Sequence, residues 1–585
     1  MNVRIKSSRP AAAGIACGVL AILAMAVSLF AFRIRECFVD DAFTGFQYIE
    51  NLLAGHGFVF FPGAQPVEGV TNIGWLLALT PLAAVMGPAL AAKVAGLTLL
   101  LASLATTMLL CRGLTSRLES ACRYEMPGRY NARPFGLTLL PTILLACSFE
   151  FIYFSLAGME TALLALVLLS MACVALRRPT GIAIPLLGAF AFLVHPEAAA
   201  VYPLYAAILC IRSTVGGDSS RRSSVRSDVD PRLESPPKVE AGGRRKLIAG
   251  SLTFLAAIVA ITAMRVAYFG DVVPNTFHSK PSGIRLAVEN AYSFLMGQNA
   301  NVAFPITGWL VLPVLLLGCR RLRRASPATA DMLAATTAVG LLFAIYGPPD
   351  WTALPRYFAP YLPAALIVLW AGVEETAFLA IVGLSGEETT AIAGGQRSAE
   401  CLGNSSAGRW PPAIGRARKP ILAAIAIVLA LTSIINSRTR MSRMAVYPGY
   451  VLAGRSLIEP AEWLRDHLAA DATIATRRIG VVAYYSGRKV FDYTYGLPDP
   501  EVARLVACHG ERFDTPTDPA LEKLWRSRAP EYLLEDEAIV DGIIAKAAGC
   551  RERFAIHGIE YHVIRQFPIG DGANWVLTER LQHGK

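Results

Sequence analysis

The chain has 585 residues, of which 54% are hydrophobic and only 17% charged, and its mean hydropathy is +0.44. Such a composition is too apolar for a soluble protein of this length and marks a polytopic membrane protein. The formal net charge of +11 does not call for nucleic acid, because Lys and Arg fall in clusters between apolar runs, as the positive-inside bias requires.

A helix needs roughly 20 apolar residues to cross a bilayer. On that ruler eleven candidate spans lie near 11–32, 89–111, 137–157, 160–176, 182–195, 198–212, 247–269, 302–318, 331–347, 359–380 and 420–436. With Arg4, Lys6 and Arg9 on the cytoplasmic side, the basic stretches 112–133, 177–178, 212–246, 320–324 and 397–419 all fall inside, and everything after 436 falls outside. This assignment requires the apolar stretch Ile73–Met86 to lie as a re-entrant or interfacial helix. The short spans 182–195 and 198–212 meet at His195-Pro-Glu197, a break that predicts a tilted or broken pair. Segments 213–246 and 384–418 are polar and rich in Ser, Gly, Pro and Arg, and read as cytoplasmic linkers.

The chain thus divides into a transmembrane module, 1–436, whose first extracytoplasmic loop is 33–88, and an extracytoplasmic α/β domain, 437–585. In that domain 472–476, 489–492, 532–534 and 561–565 read as strands, 479–486 as a short helix or turn, and 500–507 and 521–526 as helical. Most of the 11 cysteines lie in or near apolar runs, but Cys508 and Cys550 are in the external domain, where an oxidising compartment would allow a bridge.

Asp40 and Asp41 stand where the first span leaves the membrane, a costly place for two carboxylates unless they do chemistry, bind a cation or cap the helix that follows. That segment is amphipathic (Phe43, Phe46, Ile49, Leu52, Leu53) and leads through Gly55-His-Gly57 to Glu68-Gly-Val-Thr71-Asn72 before Trp75. Further polar groups predicted on the same side are Glu160 in Gly158-Met-Glu-Thr161, then Asn275, His278 and Lys280 in Pro274-Asn-Thr-Phe-His-Ser-Lys280, and Arg356 in Pro355-Arg-Tyr-Phe-Ala-Pro360. Lys280 is either a snorkelling anchor or a phosphate ligand, and the forked guanidinium of Arg356 suits a lipid phosphate or headgroups. The carboxylates Asp40, Asp41 and Glu68 are compatible with a divalent cation, although no ligand spacing demands one.

These motifs, read together, resemble the GT-C superfamily of membrane glycosyltransferases, especially bacterial members similar to the mycobacterial terminal arabinofuranosyltransferases. The external run Thr476-Arg-Arg-Ile-Gly480, Tyr484-Tyr-Ser-Gly487, Asp492 and Gly496-Leu-Pro-Asp499 is similar to that family's pattern, except that Arg478 stands where the pattern has Asp. The resemblance implies an inverting transferase in the bacterial cytoplasmic membrane, with site and external domain facing the periplasm. It implies a polyprenyl-phosphate sugar donor and a glycan, lipid or protein acceptor. Asp40 is then expected as general base, with Asp41 beside it. Glu68, Thr71, Asn72, Glu160, Asn275, His278, Lys280 and Arg356 are expected to bind substrate. The competing classes are a transporter or lipid flippase, and an inactive relative that binds lipid-linked sugar without turnover.

Overall fold

The computed structural model describes residues 9–125, 138–219, 241–279, 284–295, 308–347, 356–384, 453–510, 512–547, 549–570 and 573–581. Candidate span 420–436, linker 384–418 apart from Leu384, and Lys280 lie outside the described residues.

The first part of the chain is helical. Helix Arg9–Arg33 leads to the amphipathic helix Asp40–Leu53, then to Ile73–Met86, a 14-residue apolar helix interrupted by Pro81. Helix Pro88–Glu125 runs 38 residues, so much of the expected basic loop 112–133 is a helical extension of the span before it. The helix Val201–Ser219 likewise carries on past the predicted end of its span, and Ala241–Phe269 begins within the predicted linker. Among the described residues four helices are long and apolar enough to cross a membrane, or five if Phe149–Leu156 and Thr161–Arg177, bent by 115°, form one span. The expected eleven crossings are thus not confirmed among the described residues. Helix Ala183–Val194 has only 12 residues, and buried ionic groups interrupt the apolar runs of others.

One such group is a polar layer at one end of the bundle. Asp331, fully buried, is held by Arg212 and, at 3.0 Å, by Arg323, while Arg321 reaches Glu374 at 2.8 Å and Glu375 at 3.3 Å. Helix Pro327–Tyr346 starts here with a Ser326 cap, whose hydroxyl accepts from the Thr329 amide, and Pro327 at its first turn. Its other end carries Phe343, about 18 Å beyond Asp331 at 1.5 Å per residue. Basic clusters thus gather at one end of the bundle, and the candidate site at the other. Helices Gly308–Ala325 and Leu362–Leu384 approach through Gly318 and Gly372, where any Cβ would collide with Val368 O or Val314 O.

The C-terminal domain starts with helix Ala453–His467 and contains a six-stranded mixed sheet. The strands are β1 Thr473–Ala475, β2 Lys489–Phe491, β3 Tyr532–Asp536, β4 Phe554–Ile556, β5 Ile559–Gly570 and β6 Ala573–Arg580. β1 pairs in parallel with β2 and β3, whereas β3–β6, β6–β5 and β5–β4 are antiparallel. Helix Ile479–Ser486 makes the crossover from β1 to β2 and closes on Gly487, whose φ of 62° suits glycine. Cys508 and Cys550 are both free and exposed, so the anticipated bridge is not formed.

The sheet domain and the membrane module share a core. Val39, Phe43, Phe46 and Ile49 pack with Ile479, Val481, Val482 and Ala483, and the ring of Phe43 lies 5.5 Å from those of both Tyr484 and Tyr485.

Candidate active site

Helix Asp40–Leu53 buries its apolar stripe against the C-terminal domain, and this places the two aspartates differently. Asp40 is 8% exposed, and its carboxylate accepts hydrogen bonds from the amides of Val481 at 2.9 Å and Gly480 at 3.2 Å. It therefore caps the first turn of the crossover helix, which favours a negative charge there. Burial nonetheless outweighs those bonds and the nearby Arg478, and pushes its pKa up to about 6. The next carboxylate, Asp41, is 31% exposed and accepts a hydrogen bond from Arg356 Nη1 at 2.6 Å. Asp40 thus caps the crossover helix, while Asp41 stands at the more exposed place beside Arg356.

Lys93, missed in the sequence reading, fixes the exit of the first helix. Its ammonium donates to the carbonyls of Ile34 (3.2 Å), Cys37 (2.5 Å) and Leu156 (2.6 Å), and lies 4.0 Å from the ring centre of Phe38. A lone Lys inside an apolar run is itself a signal, since such a charge must find partners.

Behind the aspartates sits a second polar chain. Asn72 Nδ2 donates to Glu160 at 2.7 Å, Glu160 lies 3.9 Å from His195 Nε2, and His195 Nδ1 is bonded to Glu197, which also accepts from the Tyr361 hydroxyl at 3.2 Å. The Gly158 carbonyl is fixed by Trp75 Nε1 at 3.0 Å. Phe343 links this chain to the first pair, with its ring 5.8 Å from His195 and 5.1 Å from Tyr357, the residue over which Arg356 lies.

Other expected site residues serve joints between segments. The buried carboxylate of Glu68 is taken by Arg265, at 2.5 and 3.0 Å. Asn275 donates its side-chain amide to the carbonyls of Gly496 (2.7 Å) and Leu497 (2.9 Å), and its backbone amide to Glu68 O (2.9 Å). His278 pairs with Asp271 at 3.0 Å, and Thr71 has only the half-buried place before Asn72. Among the described residues no group of three or more His, Cys, Asp or Glu is placed to hold a metal ion.

Between helix Asp40–Leu53 and the carboxyl ends of β1 and β2 lies a cavity of about 170 Å³. Its walls include Asp40, Asp41 and Thr44 from one side, and Arg477, Arg478, Asp492, Thr494 and Tyr495 from the other. Asp492 shapes the β2 loop by accepting from the amides of Thr494, Tyr495 and Leu497, and burial raises its pKa to about 6.

A family profile described as a domain of unknown function (DUF8728) matches residues 450–581. No curated protein matches the chain in sequence. In three dimensions it is similar to the oligosaccharyltransferase AglB from Archaeoglobus fulgidus in complex with an inhibitory peptide and a dolichol-phosphate: 12% identical, TM-score 0.50, covering 91% of this chain and 70% of that one. A second structure of the Archaeoglobus fulgidus enzyme, tethered to an acceptor peptide with an NVT sequon, gives 12% identity and a TM-score of 0.51 over 89% and 69%. ArnT from Cupriavidus metallidurans bound to undecaprenyl phosphate gives 12% identity and a TM-score of 0.49 over 97% and 98%. The chain has the GT-C fold of these membrane proteins.

Proposed function

We propose that this chain is an inverting glycosyltransferase that moves a sugar from a polyprenyl-phosphate-linked donor to a glycan, lipid or protein acceptor on the extracytoplasmic face of the bacterial cytoplasmic membrane. The observation that carries this reading is the Asp41–Arg356 pair at the mouth of a GT-C fold. It joins an acceptor of protons to a forked cation suited to phosphate.

In the reaction the acceptor hydroxyl attacks the sugar's anomeric carbon from the face opposite the lipid phosphate. The new C–O bond forms as the bond to the phosphate oxygen breaks, and Asp41 takes the hydroxyl proton as general base. Arg356 stabilises charge growing on the departing phosphate, and turning toward it loosens its hold on Asp41 and makes that carboxylate more basic. Lys280, expected beside it from the sequence, adds a second cation. Asp40 holds the crossover helix, and with it the external domain, against Asp41. Glu160, oriented by Asn72, supplies a further carboxylate behind the site.

The test is transfer by the purified full chain from a radiolabelled polyprenyl-phosphate sugar to envelope extracts. Sugar on an acceptor, matched by released polyprenyl phosphate, is the expected result. Movement of lipid-linked sugar across vesicles without transfer would overturn the reading in favour of a flippase.

A further inference from the structure

The cavity beside Asp41 contains two buried hydroxyls without partners. Thr44 is 3% exposed and Thr494 is 4% exposed, and among the described residues neither Oγ1 makes a hydrogen bond. Both line the same cavity. Thr44 is three residues beyond Asp41 and so shares its face of the helix, while Thr494 is held on the opposite wall by the loop that Asp492 organises. Buried polar atoms rarely stay unpaired, and two in one cavity, on walls from different parts of the chain, mark a place made for a polar ligand. The cavity also lies at the carboxyl ends of parallel strands on either side of which the chain continues, where open α/β sheets bind ligands.

The walls limit what that ligand is. Arg477 is already matched by Glu535 at 3.0 Å and Asp536 at 2.7 Å, and Arg512 by Asp514 at 3.1 Å and the Tyr495 hydroxyl at 2.8 Å. Arg478 stands beside Asp40, and the three guanidiniums of the lining face four carboxylates, Asp40, Asp41, Asp492 and Asp514, which leaves little of the surplus positive field that a phosphate needs. Lipid is disfavoured because, among the described residues, Ile479 and Leu497 are the only aliphatic ones in the lining. At about 170 Å³ the space is well below the roughly 300–1,000 Å³ of drug-sized pockets, which excludes an extended peptide. What remains is a small neutral molecule with several hydroxyls, each able to donate and accept.

We propose that this cavity is a subsite for one saccharide unit of the acceptor, so that the acceptor is a glycan whose attacking hydroxyl reaches Asp41 from the domain side. This rests on the transferase reading above. The test is saturation-transfer NMR on the full chain in micelles with a panel of methyl pentosides and hexosides, and with an acetylated Ser/Asn tripeptide and inorganic phosphate as rival probes. At least one glycoside should bind, and Thr44→Val and Thr494→Val should each weaken it tenfold or more without moving the thermal midpoint or the binding of undecaprenyl phosphate. Thr44→Ser and Thr494→Ser should restore it. The proposal is overturned if no glycoside binds, if both valine variants bind as the parent does, or if tripeptide or phosphate takes the site instead. Glycoside binding that depends on the threonines, in a chain that transfers no sugar from any polyprenyl-phosphate donor, would uphold the saccharide site and overturn the transferase reading. Transfer to peptide without glycoside binding would do the reverse.

Discussion

The backbone of Gly480 lies directly on the carbonyl of Asp40, so close that a Cβ at 480 would collide with that oxygen and come within 3.0 Å of the Thr44 amide. Glycine is thus required by a contact between the helical module and the C-terminal domain. Gly480→Ala should cost about 3 kcal/mol, the upper range for overpacking a tight contact, and should loosen the domain from the helix beneath it. Limited proteolysis and thermal unfolding of the full chain in micelles would report this. Parent-like resistance and midpoint would mean that the two parts are held elsewhere.

The two aspartates should separate by function. Asp41→Asn removes the proposed base and should lower sugar transfer about 100- to 10,000-fold while donor binding survives. Arg356→Lys keeps the charge but not the fork, and should weaken donor binding about tenfold, which a pull-down on polyprenyl-phosphate vesicles can quantify. Asp40→Asn should act mainly through domain docking. If Asp40→Asn abolishes turnover at parent stability while Asp41→Asn does not, the assignment must be exchanged.

Local features explain what was legible. Helix Ile479–Ser486, the short strands around it and the amphipathic helix after Asp40 follow from local patterning, because burial on one face leaves a periodic trace. Which aspartate caps the crossover helix does not, because a helix turned by one residue carries the same apolar stripe and the domain that decides the turn lies 440 residues away. The partner of Asp41, Arg356, is 315 residues distant and equally invisible to local pattern. Arg265 did leave a trace, a lone cation in an apolar run, and its partner could have been sought among carboxylates outside the spans. Helix Ala453–His467 carries Pro460 in its interior, a residue that argues against helix from sequence alone.

The Glu68–Arg265 pair is almost wholly buried, with side chains 2% and 4% exposed. Removing one partner strands the other charge, so Glu68→Gln or Arg265→Met should destabilise by about 3–5 kcal/mol, whereas removing both should cost much less. Glu68 O also accepts from the Asn275 amide, so the single variants should loosen that segment as well. Unfolding of the single and double variants in micelles forms the cycle. A loss in the double variant equal to the sum of the two single losses would show that the pair contributes no coupling.

Acidification should tighten the joint at Asp40. An Asp in the unfolded chain titrates near 3.8, while burial raises Asp40 to about 6 in the fold. Between those values the folded chain holds a proton that the unfolded chain has released, so this contribution to stability is complete below about 4 and disappears as pH rises through 6. At roughly 1.4 kcal/mol per pK unit, a shift of about two units sets a ceiling of about 3 kcal/mol. Asp492, also raised to about 6, acts in the same direction within the domain. The thermal midpoint of the full chain should therefore carry a component that rises from pH 8 to pH 5. Asp40→Asn, which cannot titrate, should flatten that rise, leaving the Asp492 part. If Asp40→Asn follows the parent at every pH in this range, the Asp40 carboxylate is fully ionised at the joint and its two amide bonds outweigh its burial.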